Sequence, residues 1–309
     1  MDLVYTFVDG DDPAWKRKKE LYRKTHYDSS INNNDSSIAA RYRSRDELKY
    51  SLRSIHQNLP FIRHIYIVTD KQIPPWFVNN ATNSVKIVDH TEFIPKEYLP
   101  TFSSHVIEAF LHLIPNLSDT FIYMNDDIFI SKEVREDDFV KNGKLAVMLD
   151  SNYTKKGKPV VTEYAYRSAW KNANRWLDKK FIEEKRYKLE HGPIIIKKDV
   201  MFHLWDILNK ELTNTVKNKF RSVQDVNVVC SIHPYYCLYK DLAFINDTIS
   251  SKTLYLSSEN TQEQLNSLSE NLPSIFCLED DIHSNIQETN SLITNFLEKI
   301  FPIKSPYEM

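Results

Sequence analysis

The chain has 309 residues, 41% of them hydrophobic, with a formal charge of −2 and three cysteines. That length supports one large α/β domain or two modest ones with a substantial core, and the near-neutral charge argues against a sequence-independent nucleic-acid binder, which needs an overall basic excess. Cys230, Cys237 and Cys277 are odd in number and lack Cys-x-x-Cys spacing, so neither a disulfide framework nor a thiolate zinc site is expected, and a reducing compartment is the simpler assumption.

Only four glycines occur, at Gly10, Gly143, Gly157 and Gly192. They exclude a Gly-rich phosphate loop, so any phosphate must be held by other means. No signal-peptide pattern opens the chain, and no run reaches the ~18 apolar residues of a spanning helix. The expectation is a soluble chain, cytoplasmic or at most peripheral at the inner membrane.

In chain order, residues 2–8 (DLVYTFV) read as a buried strand that runs into Asp9-Gly10-Asp11-Asp12-Pro13. A strand, a Gly turn and three carboxylates suit the carboxyl edge of an open α/β sheet, and equally an acidic hairpin turn. Residues 16–24 are basic and helical, and residues 27–37 (YDSSINNNDSS) read as a mobile loop able to close over a ligand. Ser44 and Glu47 have capping-box spacing, and Leu48, Leu52 and Ile55 follow as a helical stripe. Arg41, Arg43 and Arg45 around that helix start make either an anion site or a surface cap.

Residues 63–69 and 85–88 read as strands ending at Asp70 and Asp89, with the rigid corner Pro74-Pro75-Trp76 between them. After residues 99–104 a helix carries Glu108 in its first turn. The next strand, 121–129 (FIYMNDDIF), delivers Asp126 and Asp127. Adjacent carboxylates at a strand end suit a hard cation such as Mg²⁺ or Mn²⁺, although an isolated Asp-Asp is as readily an acidic turn.

Beyond Asp150 the texture changes. Residues 163–189 are polar, aromatic and largely helical, giving the expected division into an α/β core at 1–150, an inserted helical lobe at 151–190 and the rest of the core at 191–309. His191-Gly192-Pro193 leads an extended run to residue 196, and residues 200–212 read as a helix. Ser222 reads as the cap of another helix, with Asp225 in its first turn and Arg221 just before it. Residues 242–245, 253–256 and 274–278 are late strands, the last ending in Glu279-Asp280-Asp281. Leu292, Ile293, Phe296, Leu297, Ile300 and Phe301 give an amphipathic C-terminal helix that packs on the core, on a second subunit or against a membrane surface. The pattern is α/β, a doubly wound, mostly parallel sheet, with carboxylates at successive strand ends.

Taken together these features describe a site for a metal-bound diphosphate. DLVYTFVDGDDP at 2–13, RYRSRDELKYSLRSIHQNLPFIRHIYIVTDKQIPPW at 41–76, VDHTEFIP at 88–95, LPTFSSHVIE at 99–108 and LSDTFIYMNDDIFI at 117–130 closely resemble the first two conserved regions of the Stealth family. His191-Gly192-Pro193 with Arg221-Ser222-Val223-Gln224-Asp225 is similar to the third, and Phe276-Cys277-Leu278-Glu279-Asp280-Asp281 to the fourth. That family includes bacterial capsular-polysaccharide phosphotransferases and the catalytic subunit of the lysosomal-enzyme N-acetylglucosamine-1-phosphotransferase.

The resemblance implies a nucleotide-sugar transferase (GT-A-like) core. It also implies transfer of a sugar 1-phosphate, N-acetylhexosamine 1-phosphate foremost, from a UDP-sugar to a hydroxyl of a glycan acceptor, free or lipid-linked, with release of UMP. On that reading Asp126 or Asp127, with Asp280, holds the metal. Arg221 and Arg45 hold the diphosphate, while Asp9, Gly10, Asp11, Arg41 and Asp70 line the nucleotide pocket. His191 or Glu108 takes the acceptor proton, and Asp225 orients His191. The fourth region departs from the family by carrying Glu279 where an Asn is expected; its carboxylate either adds a ligand or points to solvent. The competing expectations are a metal-dependent glycosyltransferase releasing UDP, and a non-catalytic nucleotide-sugar-binding subunit of a capsule assembly complex. Peripheral membrane contact and homo-oligomerisation are further expectations.

Overall fold

The computed structural model describes residues 1–32, 39–78, 84–256, 260–280 and 286–309, apart from the side chains of residues 39, 40, 280 and 286–288. The first half runs β1 (Asp2–Thr6), α1 (Pro13–His26), α2 (Glu47–Asn58), β2 (Ile65–Thr69), β3 (Val85–Asp89), α3 (Ser104–Phe110), β4 (Thr120–Asn125), β5 (Ile128–Ile130), α4 (Glu136–Phe139), β6 (Val140–Lys141) and β7 (Lys144–Val147). The second continues β8 (Leu149–Tyr153), α5 (Ala165–Lys180), β9 (Tyr187–Leu189), β10 (Ile194–Lys197), α6 (Lys198–Ile207), α7 (Asn209–Val216), α8 (His233–Tyr239), β11 (Ala243–Ile245), β12 (Ser251–Leu256), α9 (Thr261–Glu270), β13 (Ile275–Asp280) and α10 (Ile286–Ile300).

The central sheet has the order β10-β4-β1-β2-β3, with β4, β1, β2 and β3 parallel and β10 antiparallel to β4. Its parallel strands are covered on both faces, which is why IYIVT and the middle of TFIYMN are continuous apolar runs rather than alternating ones. Registers are level: Thr6 lies opposite both Asn125 and Val68, and Thr69 opposite Asp89, so the carboxyl ends share one edge. The chain fills β2 and β3 on one side of β1 and then jumps to β4 on the other. That makes the gap between β1 and β4 the topological switch point where an open α/β sheet takes its ligand. Because β10 is antiparallel, with Ile194 opposite Tyr123, the residues ahead of it approach from this same edge.

After the two-residue turn Asp126 and Asp127, β5 leaves the central sheet and pairs with β13, itself parallel to β12. The Leu278 N–H donates to the Asp127 carbonyl at 3.1 Å, fixing Glu279 beside the acidic turn. A second core forms here: Phe129 stacks on Phe276 at 4.9 Å, and Ile293, Phe296, Leu297 and Phe301 close over them. Ile293, Phe296 and Leu297 of α10 are therefore buried on the chain's own core. Among the described residues no helix is long and apolar enough to cross one.

Several local expectations change. The helix after Arg45 begins at Glu47, not Ser44: Asp46 is left-handed at φ 61° with no side-chain cap, and Glu47 accepts from the Arg45 N–H instead of closing a capping box. Residues 200–212 are two helices, α6 and α7, broken at Leu208. Residues 222–225 form a turn and no helix, although the Asp225 carboxylate accepts from the Ser222 N–H at 2.9 Å as in one half of a capping box. Between 149 and 189 a single 16-residue helix, α5, sits between the paired strands β8 and β9. Of the loop expected at 27–37, residues 33–38 lie outside the described residues.

Candidate active site

Two clusters of ionisable side chains stand at the switch-point edge. The first is acidic. Asp127 is half-buried, its Oδ1 is shielded from solvent, and that oxygen has no hydrogen-bond partner. Burial, then the charges of Glu279 and Glu47, push its carboxyl from 3.8 up to about 7. Oε2 of Glu279 is likewise shielded and without a hydrogen bond, and lies 3.5 Å from His191 Nδ1. The His191 and Glu279 side chains are 38% and 40% exposed, so the pair opens to solvent above Asp127. Glu279 thus points into the site. His191 is not a core imidazole. The Asp126 side chain is half-exposed and acts electrostatically on Tyr5 and Cys277, while Asp280 ends β13 opposite Leu256 with its side chain outside the described residues.

The second cluster is built on α3. His105 Nδ1 lies 3.0 Å from Asp225 Oδ2, with both side chains buried. Asp225 is fixed from two further sides by the Ser222 N–H and, at 3.2 Å, by the Asn218 amide. It therefore orients His105, not His191 as the sequence suggested. Arg221 donates to Ser104 Oγ at 2.6 Å. Glu108 lies buried beneath. Burial pushes its carboxyl up against the opposing pull of His105, Arg221, Ser104 and Tyr123, and its Oε2 has no hydrogen-bond partner. The Tyr123 hydroxyl, 3.4 Å from Glu108 Oε1, 3.2 Å from Thr6 Oγ1 and 3.1 Å from Asn125 Oδ1, ties this cluster to the ends of β4 and β1.

The remaining predicted residues are placed as follows. The Asp9 backbone exchanges hydrogen bonds with the Gln72 amide at 3.0 and 2.8 Å, bracing the loops after β1 and β2. The Gly10 N–H meets the Tyr42 carbonyl at 2.6 Å, and a Cβ there would stand 2.2 Å from that oxygen, which is why the position takes glycine. Asp12 caps α1 through the Trp15 N–H. Asp11 and Asp70 pair with Lys16 and Lys18, each at 2.5 Å. Arg41 is half-exposed in the short 3₁₀ turn ahead of α2. Arg45 has a 3% exposed side chain turned to Glu47 and Asn290, so its charge is set against the carboxylates of the acidic cluster.

A divalent cation suits the acidic cluster, since two carboxylate oxygens without hydrogen bonds face a shared negative field that a cation relieves. Among the described residues no three His, Cys, Asp or Glu side chains make a complete metal site. Asp127 and Glu279 are the two carboxylates that could contribute to such a site, with water and substrate phosphate supplying the remaining ligands.

Two family models match the chain: Stealth protein conserved region 2 over residues 41–148, and conserved region 3 over residues 190–238. Over 317 residues the chain is 34% identical to the capsular polysaccharide phosphotransferase fcs1 of Haemophilus influenzae, covering 97% of this chain and 84% of that protein. The chain belongs to the Stealth family of polysaccharide phosphotransferases. It is also 34% identical to the capsular polysaccharide phosphotransferase LcbA of Neisseria meningitidis, over 93% of this chain and 79% of that protein. A third relative, the exopolysaccharide phosphotransferase SCO6023 of Streptomyces coelicolor, is 34% identical over 100% of this chain, which spans only 52% of its length. Among solved structures, the galactosyltransferase LgtC in complex with donor and acceptor sugar analogues aligns at a TM-score of 0.46 and 10% identity, over 99% of this chain and 97% of that one. At that score the likeness decides nothing about the site.

The two matched Stealth regions meet in both clusters. Region 2 carries Glu47, His105, Glu108, Asp126 and Asp127; region 3 carries His191, Arg221 and Asp225. Glu279 lies outside both. His105 was missed as a site residue although it stands in the quoted LPTFSSHVIE block, because nothing local to it announces a partner 120 residues away.

Proposed function

We propose that the chain transfers a sugar 1-phosphate from a UDP-sugar to a hydroxyl of a glycan acceptor during capsule or exopolysaccharide synthesis. The acceptor oxygen attacks the phosphorus that carries the sugar. The bond between that phosphorus and the bridging oxygen breaks, UMP departs with that oxygen, and the anomeric C–O bond survives. Such a reaction asks for in-line positioning and charge neutralisation more than for covalent chemistry. The observation that carries the reading is the pair of carboxylate oxygens without hydrogen bonds, on Asp127 and Glu279, the second of them 3.5 Å from His191 Nδ1.

Asp127 and Glu279 would hold Mg²⁺ or Mn²⁺, with Asp126 and Asp280 next to them in the chain; bound there, the cation would neutralise the donor diphosphate. Arg221, steadied by Ser104, presents a guanidinium to the phosphate oxygens, while Arg45 stands beside Glu47 at 3.4 Å. The loops after β1 and β2, braced by Gln72, form the nucleotide wall. Between the two bases first considered, His191 fits better than Glu108. It is open to solvent, with Glu279 beside Nδ1, whereas Glu108 is buried and biased towards its protonated form.

Product analysis tests the reaction. With Mg²⁺, a panel of UDP-sugars and an acceptor oligosaccharide, UMP forms in step with a phosphodiester product. Stoichiometric UDP would instead assign the chain to sugar transfer alone.

A further inference from the structure

The segment between the two matched family regions has a charge opposed to the chain's own. Residues 151–190 hold eleven lysines and arginines against five acids, within a chain whose total is −2. Aromatic rings interleave with two of these cations, Arg167 and Lys188. Tyr164 and Tyr166 stack at 5.7 Å and 12°, and Trp170 meets Tyr166 edge-on at 4.8 Å. The Arg167 guanidinium lies 5.2 Å from the Tyr164 ring, and Lys188 Nζ 5.3 Å from the Trp170 ring. Tyr164 is 37% exposed, and Tyr166, Trp170 and Lys188 are half-buried, so the rings are held in place yet remain reachable.

Lys188, which meets the Trp170 ring, lies in β9 three residues ahead of His191, so the chain itself ties this surface to the acidic cluster. Tyr255 stands opposite Glu279 in the β12–β13 register and is itself 55% exposed. Its phenol is pushed up to about 12 by burial, then by the charges of Glu279 and Asp150, with Cys277 and Tyr166 further contributors. Lys188 in turn acts on Asp150. Tyr255 is thus beside Glu279 in the sheet, and Glu279 lies 3.5 Å from His191 Nδ1.

We infer that this surface is the acceptor platform, and that it is built for a glycan already carrying phosphodiesters. The inference rests on the proposed reaction, whose product alternates sugar rings with phosphate anions. Aromatic faces suit the apolar C–H faces of sugar rings, and cations spaced between them suit the phosphates. A neutral glycan would use only the rings, and an anionic lipid surface only the cations.

Calorimetric titration of the whole chain tests this with phosphodiester-linked tetramers of N-acetylglucosamine, N-acetylmannosamine and galactose, each beside its glycosidically linked neutral counterpart. At least one phosphodiester tetramer binds tenfold or more tightly than its counterpart, with an affinity that falls as salt rises. Trp170→Ala and Lys188→Ala each weaken that binding tenfold or more, and Trp170→Phe restores most of it. Tyr164→Ala, at an exposed ring, weakens it without lowering the melting temperature. Equal binding of charged and neutral tetramers, no binding at all, normal binding by Trp170→Ala, or Trp170-dependent binding to anionic vesicles but not to tetramers would overturn the inference. If the wild-type chain releases UMP while Trp170→Ala binds as wild type does, the platform fails and the reaction stands. If the wild-type chain releases UDP but binds the tetramers through Trp170, the reaction fails and the platform stands.

Discussion

Asp225 Oδ2 lies 3.0 Å from Nδ1 of His105, joining two residues 120 positions apart in a buried pair. The contact fixes the ring of His105 and, through Ser222 and Asn218, the turn that carries Arg221. Asp225→Asn keeps the shape and removes the anion. Its expected effect is a fall in kcat of about 10²-fold with the melting temperature nearly unchanged. Unchanged turnover would reduce the pair to a structural brace.

The two carboxylate-paired imidazoles separate by mutation. His191→Ala should lower kcat by about 10²–10⁴-fold while UDP-sugar affinity, read by titration, stays near wild type. If His191→Ala turns over normally and His105→Ala does not, the base is the buried histidine.

Asp127 gives the pH dependence its sign. Its carboxyl rises from an ordinary 3.8 to about 7 through burial and the charges of Glu279 and Glu47. Between those values the metal-free fold binds more protons than the unfolded chain. Its contribution to stability is therefore full below about pH 4 and is lost as pH rises through about 7. Thermal melts from pH 5 to 8 should show this loss in wild type and not in Asp127→Asn. A wild-type melting temperature that is flat, or that rises in step with the variant's, would contradict it.

Arg53 anchors the C-terminal residues. It is 2% exposed, and it donates to Glu308 at 2.8 and 2.9 Å and to the Phe301 carbonyl at 2.7 Å. Burial would raise the Glu308 carboxyl, but its hydrogen bonds to Arg53 and Ser305 outweigh that and hold it below its usual range. Arg53→Ala leaves this carboxylate buried without its partner and should cost about 3–5 kcal/mol in chemical unfolding. A loss under about 1 kcal/mol would mean that the pair is effectively solvated.

What the sequence made legible follows from the range of each signal. The strands at 2–6, 65–69 and 120–125 are mostly apolar runs followed closely by carboxylates, and the one at 85–89, though it carries Lys86, ends at Asp89, a signal contained within the run and its next few residues. The caps were less legible. Ser44 with Glu47, and Ser222 with Asp225, both have cap spacing, yet Glu47 turns to Arg45, and Asp225, while it does accept from the Ser222 N–H, also takes His105, a partner that only the fold supplies. The same reason hid Glu279. Its role depends on β13 pairing with β5 across more than 140 residues, and as a lone departure from a family pattern it could equally have faced water.

The cation is the centre of the account, and Mn²⁺ binding read by electron paramagnetic resonance in the presence of UDP tests it most directly. Wild type should bind Mn²⁺ more tightly as pH rises through about 7, because the ion competes with the proton on Asp127. Asp127→Asn and Glu279→Gln should each weaken that binding at least tenfold while remaining folded. Wild-type affinity in either variant would contradict the site.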